Sequence, residues 1–395
     1  MTSFCYDYDM RNFDVIVVGL GAMGSAAVYH LAKSGVKVLG VDRYNPPHIY
    51  GSSHGDTRIT RLAIGEGAEY VPLVIRSHEL WRGIEQEVGY ELLNQCGGLI
   101  MGVHSNAGQH GINDFLNQTI ESAKQYGIRH EVLSTQQIKS RFPHFNLIGN
   151  EDGYYEPEAG FLRPEKCIQA QLELATKYGA TINRGERTIS YEDDGNSVTV
   201  KTDKGTYSAA KLIISAGPWI NELVGGYESV FKIYRQVLHW FNLKDKQKYE
   251  TYNKLPVFIW EFGGSFDDFV YGFPAIDGPD GGLKVATEEY AASTTPDEVK
   301  REVTQDEIDQ MYERYVKDKL PGLSRECIRA ASCLYTVTPG HKFVIDYHPK
   351  QKNVIIASPC SGHGFKHSAA VGEILAQLAT SGKTKLDISK FTLGS

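Results

Sequence analysis

The segment Phe13-Asp14-Val15-Ile16-Val17-Val18-Gly19-Leu20-Gly21-Ala22-Met23-Gly24 constrains the fold more than any other. A short β-branched run feeds directly into G-x-G-x-x-G. A helical pattern follows through Ala26, Ala27, Val28, Leu31 and Ala32. Gly35 breaks it, and Val36 to Asp42 reads as a second strand ending in an acid. Strand, glycine turn, helix, strand and acid make the dinucleotide-binding unit. Gly19 permits the tight turn, Gly21 lets backbone approach a pyrophosphate, and Gly24 lets helix and strand pack closely. The helix N-terminus offers free N–H groups to phosphates. Asp42 can accept hydrogen bonds from a ribose and disfavours a 2′-phosphate, which argues against an NADP-type ligand. The alternative is an ordinary α/β turn. The motif does not separate FAD from NAD, although its place near the start of the chain favours a flavoprotein.

The chain has 395 residues, 41% of them hydrophobic and 23% charged, enough for two domains. A net charge of −7 gives no electrostatic case for nucleic acid or anionic membrane. No apolar run is long enough to span a bilayer, and the polar, aromatic first twelve residues lack a signal core. Six scattered cysteines (Cys5, Cys96, Cys167, Cys327, Cys333, Cys360) show no C-x-x-C or zinc spacing. They suggest a reduced, cytoplasmic protein with no metal site.

Helices are expected over 71–88, 113–126, 135–141, 163–178 and 369–378, and over the charged stretch 295–319 as a solvated surface helix. Strands are expected at 98–103, 181–183, 197–202, 205–209, 211–214, 343–345 and 354–357. Residues 153–160 read as a loop. The aromatic, alternating stretch 231–289 suggests an antiparallel sheet. Ser215 to Trp219 is either a close backbone passage past the dinucleotide or a simple strand-to-helix turn.

Three further groups carry chemistry. Ser361-Gly362-His363-Gly364-Phe365-Lys366 sets glycines before a helix, an anion-friendly N-terminus with a lysine at its mouth. The alternative is an exposed lysine on a terminal helix. His54-Gly55-Asp56-Thr57-Arg58-Ile59-Thr60-Arg61 places two arginines three apart; one could touch a flavin and the other clamp a carboxylate, or both could form surface ion pairs. Lys284, on a strand after Gly281-Gly282, reads as an exposed lysine or as a cation that helps reduce dioxygen. Cys333 reads, on local grounds, as a small buried hydrophobe.

Together these residues resemble the monomeric sarcosine oxidase and N-methyltryptophan oxidase family of flavin-dependent amine oxidases. The resemblance runs from about Phe13 to Phe391. It rests on Pro46-Pro47-His48, His54-Gly55-Asp56-Thr57-Arg58, Gly65-Glu66-Gly67, Tyr70-Val71-Pro72-Leu73, Tyr271-Gly272-Phe273-Pro274 and Ser361 to Lys366. It implies an α/β fold: a Rossmann-type FAD-binding domain (11–90, 151–225 and 325–395) and an α+β substrate domain on an antiparallel sheet (91–150 and 226–324). It implies FAD attached covalently through Cys333, which reverses the local reading of that cysteine. The implied cofactor-binding set is Gly19, Gly21, Met23, Gly24, Asp42, His54, Arg58, Cys333, Gly362, Gly364 and Lys366. Lys284 would activate dioxygen, Arg58 would lie close to the flavin, and Tyr271 would line the pocket. Arg61 and Lys366 would hold the substrate carboxylate.

Two positions depart from the family pattern. Ile64 replaces a pocket tyrosine, and Glu288 replaces a histidine four residues after Lys284. Both stand where the substrate amine or side chain would lie, so the substrate is expected to differ from sarcosine. The expected reaction oxidises a secondary amine or N-methyl amino acid to an imine, which hydrolyses to aldehyde and amine, with dioxygen reduced to hydrogen peroxide. The expected partners are a small amino acid and dioxygen, with no nucleic acid or membrane; a monomer is compatible with the sequence. A flavin dehydrogenase with another electron acceptor, or a non-catalytic FAD-binding protein, are the alternatives.

Overall fold

The computed structural model describes residues 11–103, 112–263, 265 and 268–393. Cys5 and the first ten residues of the polar N-terminal stretch lie outside them.

The first unit forms as the sequence suggests: β1 (Arg11–Val18), α1 (Ala22–Lys33) and β2 (Val38–Asp42). β1 has parallel partners on both sides, β2 and Thr206–Ile214. Val15 and Val17 enter one hydrophobic cluster, and Ile16 and Val18 enter another. A strand covered on both faces needs the continuous apolar run seen here rather than an alternating one. The eight-stranded sheet continues through Thr181–Arg184 beyond β2. On the other side Gln351–Ala357 lies parallel to Thr206–Ile214. α1 packs against Pro164–Lys177 and Ser368–Ser381. Gly372 allows the last contact, since a Cβ there would run into Ala26.

A second, nine-stranded sheet is built mainly from antiparallel pairs. Lys232–Leu243 pairs with Leu283–Ala286 on one edge and with Leu323–Val337 on the other. Phe269–Gly272 and Val257–Glu261 extend the sheet, and Gly98–Gly102 joins parallel to the latter. A three-stranded sheet contains Arg58–Thr60. The fold is therefore α/β, with a Rossmann-type sheet beside a mixed, largely antiparallel one.

Several sequence expectations need correction. Residues 153–160 are not a loop. Asp152–Glu156 is a strand, because Tyr154 pairs with both Ile100 and Val132, and that pairing outweighs the local turn residues. The stretch 295–319 is not one solvated helix. Its α-helical part is Gln305–Met311, opened by a capping box between Thr304 and Glu307, and a π turn follows at Tyr312–Val316. Tyr312, Tyr315 and Val316 are buried in the second core cluster. The separate strands expected at 205–209 and 211–214 are one strand, Thr206–Ile214. Asp152–Glu156, and all but the first two residues of Leu323–Val337, fall in the expected FAD-binding segments yet are hydrogen-bonded into the second sheet. The latter is held there by register along nearly the whole of Lys232–Leu243. Five cysteines among the described residues are free. No helix among the described residues is long and apolar enough to cross a membrane.

Candidate active site

β1 ends at Val18, and the chain turns at Gly19, whose φ of +87° suits glycine. A Cβ at Gly19 would sit 2.8 Å from the Ser215 carbonyl carbon, and one at Gly24 would fall on the Gly19 carbonyl oxygen. Gly21 is different: the nearest atom to a Cβ there is Ser53 Oγ at 3.9 Å, and the residue faces a cavity. α1 therefore starts with no side-chain cap on its first amides. Asp42 Oδ2 accepts from the Leu20 amide at 2.7 Å and Oδ1 from the Tyr44 amide at 2.8 Å. Burial holds the Asp42 pKa above the usual carboxylate value, against those two hydrogen bonds.

These groups line a groove of about 1270 Å³ that also takes in Met23, Arg58, Gly362 and Gly364. The Ser215 to Trp219 turn lines it too, and it also connects the strand Thr206–Ile214 to the short helix Ile220–Leu223. Uncapped amides, two glycines with no room for a Cβ, one open glycine and a carboxylate at the end of β2 fit a dinucleotide.

A chamber of about 550 Å³ adjoins the groove and shares Arg58, Tyr335, Gly362 and Phe365 with it. Arg61 follows directly on the strand Arg58–Thr60 and is 3% exposed. Its guanidinium donates to the Ala63 carbonyl and, at 2.6 Å, to Glu66. Lys366 Nζ donates to the His363 carbonyl at 2.7 Å and lies 3.8 Å from Glu66. Burial lowers the Lys366 pKa to about 8, with Glu66 opposing the shift. Two buried cations thus converge on one carboxylate at the chamber wall.

Lys284 enters from the second sheet and reaches the loop that leads into the strand Arg58–Thr60. Its Nζ donates to the Gly55 carbonyl at 2.7 Å, the Thr57 carbonyl at 2.9 Å and Thr57 Oγ1 at 3.1 Å. Burial, and then the Arg58 charge, push its pKa well below the ordinary lysine value. Arg58 donates to the Thr57 and Ser52 carbonyls at 2.8 and 2.7 Å. Tyr271 and Glu288 complete the wall, and burial raises the Tyr271 pKa.

Four expected residues stand elsewhere. Ile64 is 1% exposed and is not among the residues lining the chamber. Its amide donates to Ser122 Oγ, and its aliphatic side chain joins the core cluster that holds Phe115 and Ile120. An isoleucine gains more from that core than from a polar chamber. Gly24 acts behind the groove through packing. His54 is buried outside both cavities, and its pKa is lowered to about 3 by burial and then by Arg58. Cys333 is 1% exposed and lines neither cavity, whereas Cys360 lines the groove. Burial raises the Cys333 thiol pKa, while Arg58 and Lys284 act against the shift.

Sequence reasoning assigned no role to Glu66, Phe273, Tyr335 or Phe365, which all line the chamber. Glu66 carried a signal, being an acid between two glycines five residues after Arg61. Tyr335 lies two residues beyond Cys333 on the same strand.

A model of the FAD dependent oxidoreductase family matches residues 14–378. The chain belongs to this family. It is 42% identical over 385 residues to monomeric sarcosine oxidase of Bacillus sp. (strain NS-129), covering 97% of this chain and 96% of that one. It is 33% identical over 398 residues to N-methyl-L-tryptophan oxidase of Yersinia pestis (strain Pestoides F), covering 97% and 99%. Among solved structures, the open form of NikD, described as an unusual amino acid oxidase essential for nikkomycin biosynthesis, superposes with a TM-score of 0.83 at 22% identity, covering 97% and 98%. L-proline dehydrogenase from P. horikoshii gives 0.79 at 20%, covering 97% of each chain. These two likenesses support the fold alone. As a member of an FAD-dependent family, the chain has in its groove a set of residues that fits the cofactor.

Proposed function

We propose that this FAD dependent oxidoreductase is an oxidase of a secondary amine or N-methyl amino acid, with dioxygen as the electron acceptor. The observation that carries the reading is the convergence of buried Arg61 and Lys366 on a chamber that shares a wall with the dinucleotide groove. Two buried cations are costly without an anion, and Glu66 supplies one between them. A substrate carboxylate would take over part of that role, which fixes the substrate along the chamber.

When bound, FAD would supply the acceptor for a hydride equivalent from the carbon next to the substrate nitrogen. The chain's own work is orientation and electrostatics. Arg61 and Lys366 hold the carboxylate. Tyr271, Phe273, Tyr335 and Phe365 give apolar walls that exclude water. Lys284, fixed by three oxygen acceptors, would place a cation where dioxygen gains charge. The imine product hydrolyses to an aldehyde and an amine, and hydrogen peroxide leaves.

The reading includes covalent attachment of FAD through Cys333, supported by the match of that residue in Ala-x-Cys-x-Tyr. It includes a cytoplasmic location, supported by the five free cysteines. It also includes a discontinuous division into an FAD-binding and a substrate domain. The substrate is proposed to differ from sarcosine, now on the strength of Glu288 alone. The deciding experiment is a peroxide assay over N-methyl amino acids, cyclic imino acids and glycated amino acids. Amine-dependent peroxide supports the reading; reduction of an artificial carrier without peroxide would replace oxidase by dehydrogenase. Acid-denatured protein is expected to stay yellow, and Cys333→Ser to lose that colour.

A further inference from the structure

The ammonium of Lys284 donates to three oxygens of one short loop: the Gly55 carbonyl, the Thr57 carbonyl and Thr57 Oγ1. That loop therefore decides where the cation sits. Its conformation is one that residues with a Cβ use sparingly: φ is +93° at Gly55 and +70° at Asp56. A flip of the peptide between them would relieve Asp56 and turn the Gly55 carbonyl away from Lys284. Glu165 stands on the other side of that peptide. Its Oε1 accepts from the Gly55 amide at 2.6 Å and from the Asp56 amide at 3.2 Å. In a trans peptide the carbonyl and the following N–H point in opposite directions. The Gly55 carbonyl and the Asp56 N–H belong to one such unit, which a cation holds at one end and a carboxylate at the other. Glu165 is close enough for its charge to oppose the fall in the Lys284 pKa. Chain connectivity brings it there. Gly160–Leu162 pairs antiparallel with Arg58–Thr60, with Leu162 opposite Arg58, and the helix Pro164–Lys177 opens two residues later. The residues after Leu162 thus lie beside the residues before Arg58. Arg329 also grips the loop through Asp56, but as an exposed pair that is worth little.

We infer that Glu165 is a positioning residue for the dioxygen step: through its hydrogen bonds to the Gly55 and Asp56 amides it keeps the Gly55 carbonyl on Lys284 and so fixes the place of the ammonium. Glu165 lines neither the groove nor the chamber, so it acts through the loop. The inference rests on the proposed role of Lys284 and adds the residue on which the placement of that cation depends. A merely stabilising role for Glu165 would not depend on the presence of Lys284.

The flavin-loaded protein is photoreduced without oxygen and then mixed with dioxygen in a stopped-flow instrument, so no amine is needed. Wild type is compared with Lys284→Met, Glu165→Ala, Glu165→Gln and the double variant Lys284→Met with Glu165→Ala. Lys284→Met is expected to slow reoxidation by about 10²-fold. Glu165→Ala is expected to slow it by about tenfold, as for a lost hydrogen bond to a charged group. Glu165→Gln, whose side-chain oxygen can accept from both amides, should keep most of the wild-type rate. In the Lys284→Met background, Glu165→Ala should add nothing. A crystal structure of Glu165→Ala should show the Gly55 carbonyl turned from Lys284 Nζ. If Lys284→Met is slow and Glu165→Ala is not, the inference is overturned and the role of Lys284 stands. The same holds if Glu165→Ala slows reoxidation equally in both backgrounds. Reoxidation of Lys284→Met as fast as that of wild type overturns the role of Lys284 and the inference together. If Glu165→Ala does not keep its flavin, Glu165→Asp replaces it. Its carboxylate is one methylene short of the amides, so the same slowing is expected, and an unchanged rate overturns the inference.

Discussion

In the dinucleotide groove the decisive residues have no side chain, while in the chamber next to it nearly everything depends on side chains. Gly19 and Gly24 work by leaving space that backbone atoms fill, and Gly21 by leaving a wall open. All three lie within one short turn of the chain. The chamber draws Arg61, Lys284, Glu288 and Lys366 from three separate regions: the end of the strand Arg58–Thr60, the strand Leu283–Ala286 with the residues after it, and the turn before the last helix. The groove is thus a local device that backbone geometry enforces. The chamber exists only once the three-stranded sheet, the nine-stranded sheet and the segment 362–366 meet, and its chemistry can change without disturbing the fold.

The largest effect should come from attacking the groove. Gly24→Ala puts a methyl group on the Gly19 carbonyl oxygen, so the strand and helix must separate. Flavin-free or insoluble protein is expected, with a stability loss of about 3 kcal/mol or more. Gly21→Ala, with its nearest neighbour at 3.9 Å, should fold near the wild-type melting temperature and bind flavin more weakly. Flavin content per chain and Tm check both. Full flavin occupancy in Gly24→Ala would break the contrast between the two glycines.

Changes in the chamber should leave folding and flavin content intact and act on turnover. Lys284→Met removes a cation held by three oxygen acceptors, and the oxygen dependence of turnover, kcat/KM for dioxygen, should fall by about 10²-fold. The same quantity for the amine should change far less. Equal losses on both would make Lys284 a packing residue instead.

A smaller effect follows from Lys366, whose pKa is lowered to about 8. Below that value it is charged and can hold a carboxylate; above it the charge is lost. Affinity for 3,3-dimethylbutanoate, which has no group titrating near pH 8, should therefore fall as pH rises through about 8. A charge-assisted hydrogen bond of about 1.5–3 kcal/mol makes this at least about tenfold. Anion binding should raise the lysine pKa and draw in protons. In Lys366→Met the fall centred near pH 8 should disappear. Burial raises the pKa values of Tyr271, Tyr290 and Tyr335, which leaves Lys284, itself lowered, as the other chamber group to which a remaining slope would be assigned.

The contrast also explains what could be read from the chain alone. β1, α1 and β2 were legible because their signals lie within about thirty residues and both strand faces need apolar side chains. Arg61, Lys284 and Lys366 stand out locally with two readings each, as a site cation or a surface charge, and the family resemblance decides between them. Leu323–Val337 escaped notice as one long strand because its polar first half gains strand geometry from its partner, Lys232–Leu243. Tyr154 and Tyr155 sit in a glycine- and proline-flanked stretch that only cross-strand pairing makes extended. Ile64 shows the limit of position matching. The backbone position is near the clamp, yet an apolar side chain turned from that polar chamber joins the core.

The central claim is that the chamber selects a carboxylate on an amine that the enzyme oxidises. The most direct measurement compares peroxide production from an N-methyl amino acid and from the same amine without its carboxylate, in wild type and in Arg61→Ala. The account expects the wild type to favour the acid strongly. Arg61→Ala should cost the acid about 2–5 kcal/mol in kcat/KM and the simple amine much less, so the preference collapses. An amine without a carboxylate that is oxidised as efficiently as the acid by the wild type, or a preference that survives Arg61→Ala unchanged, would contradict it.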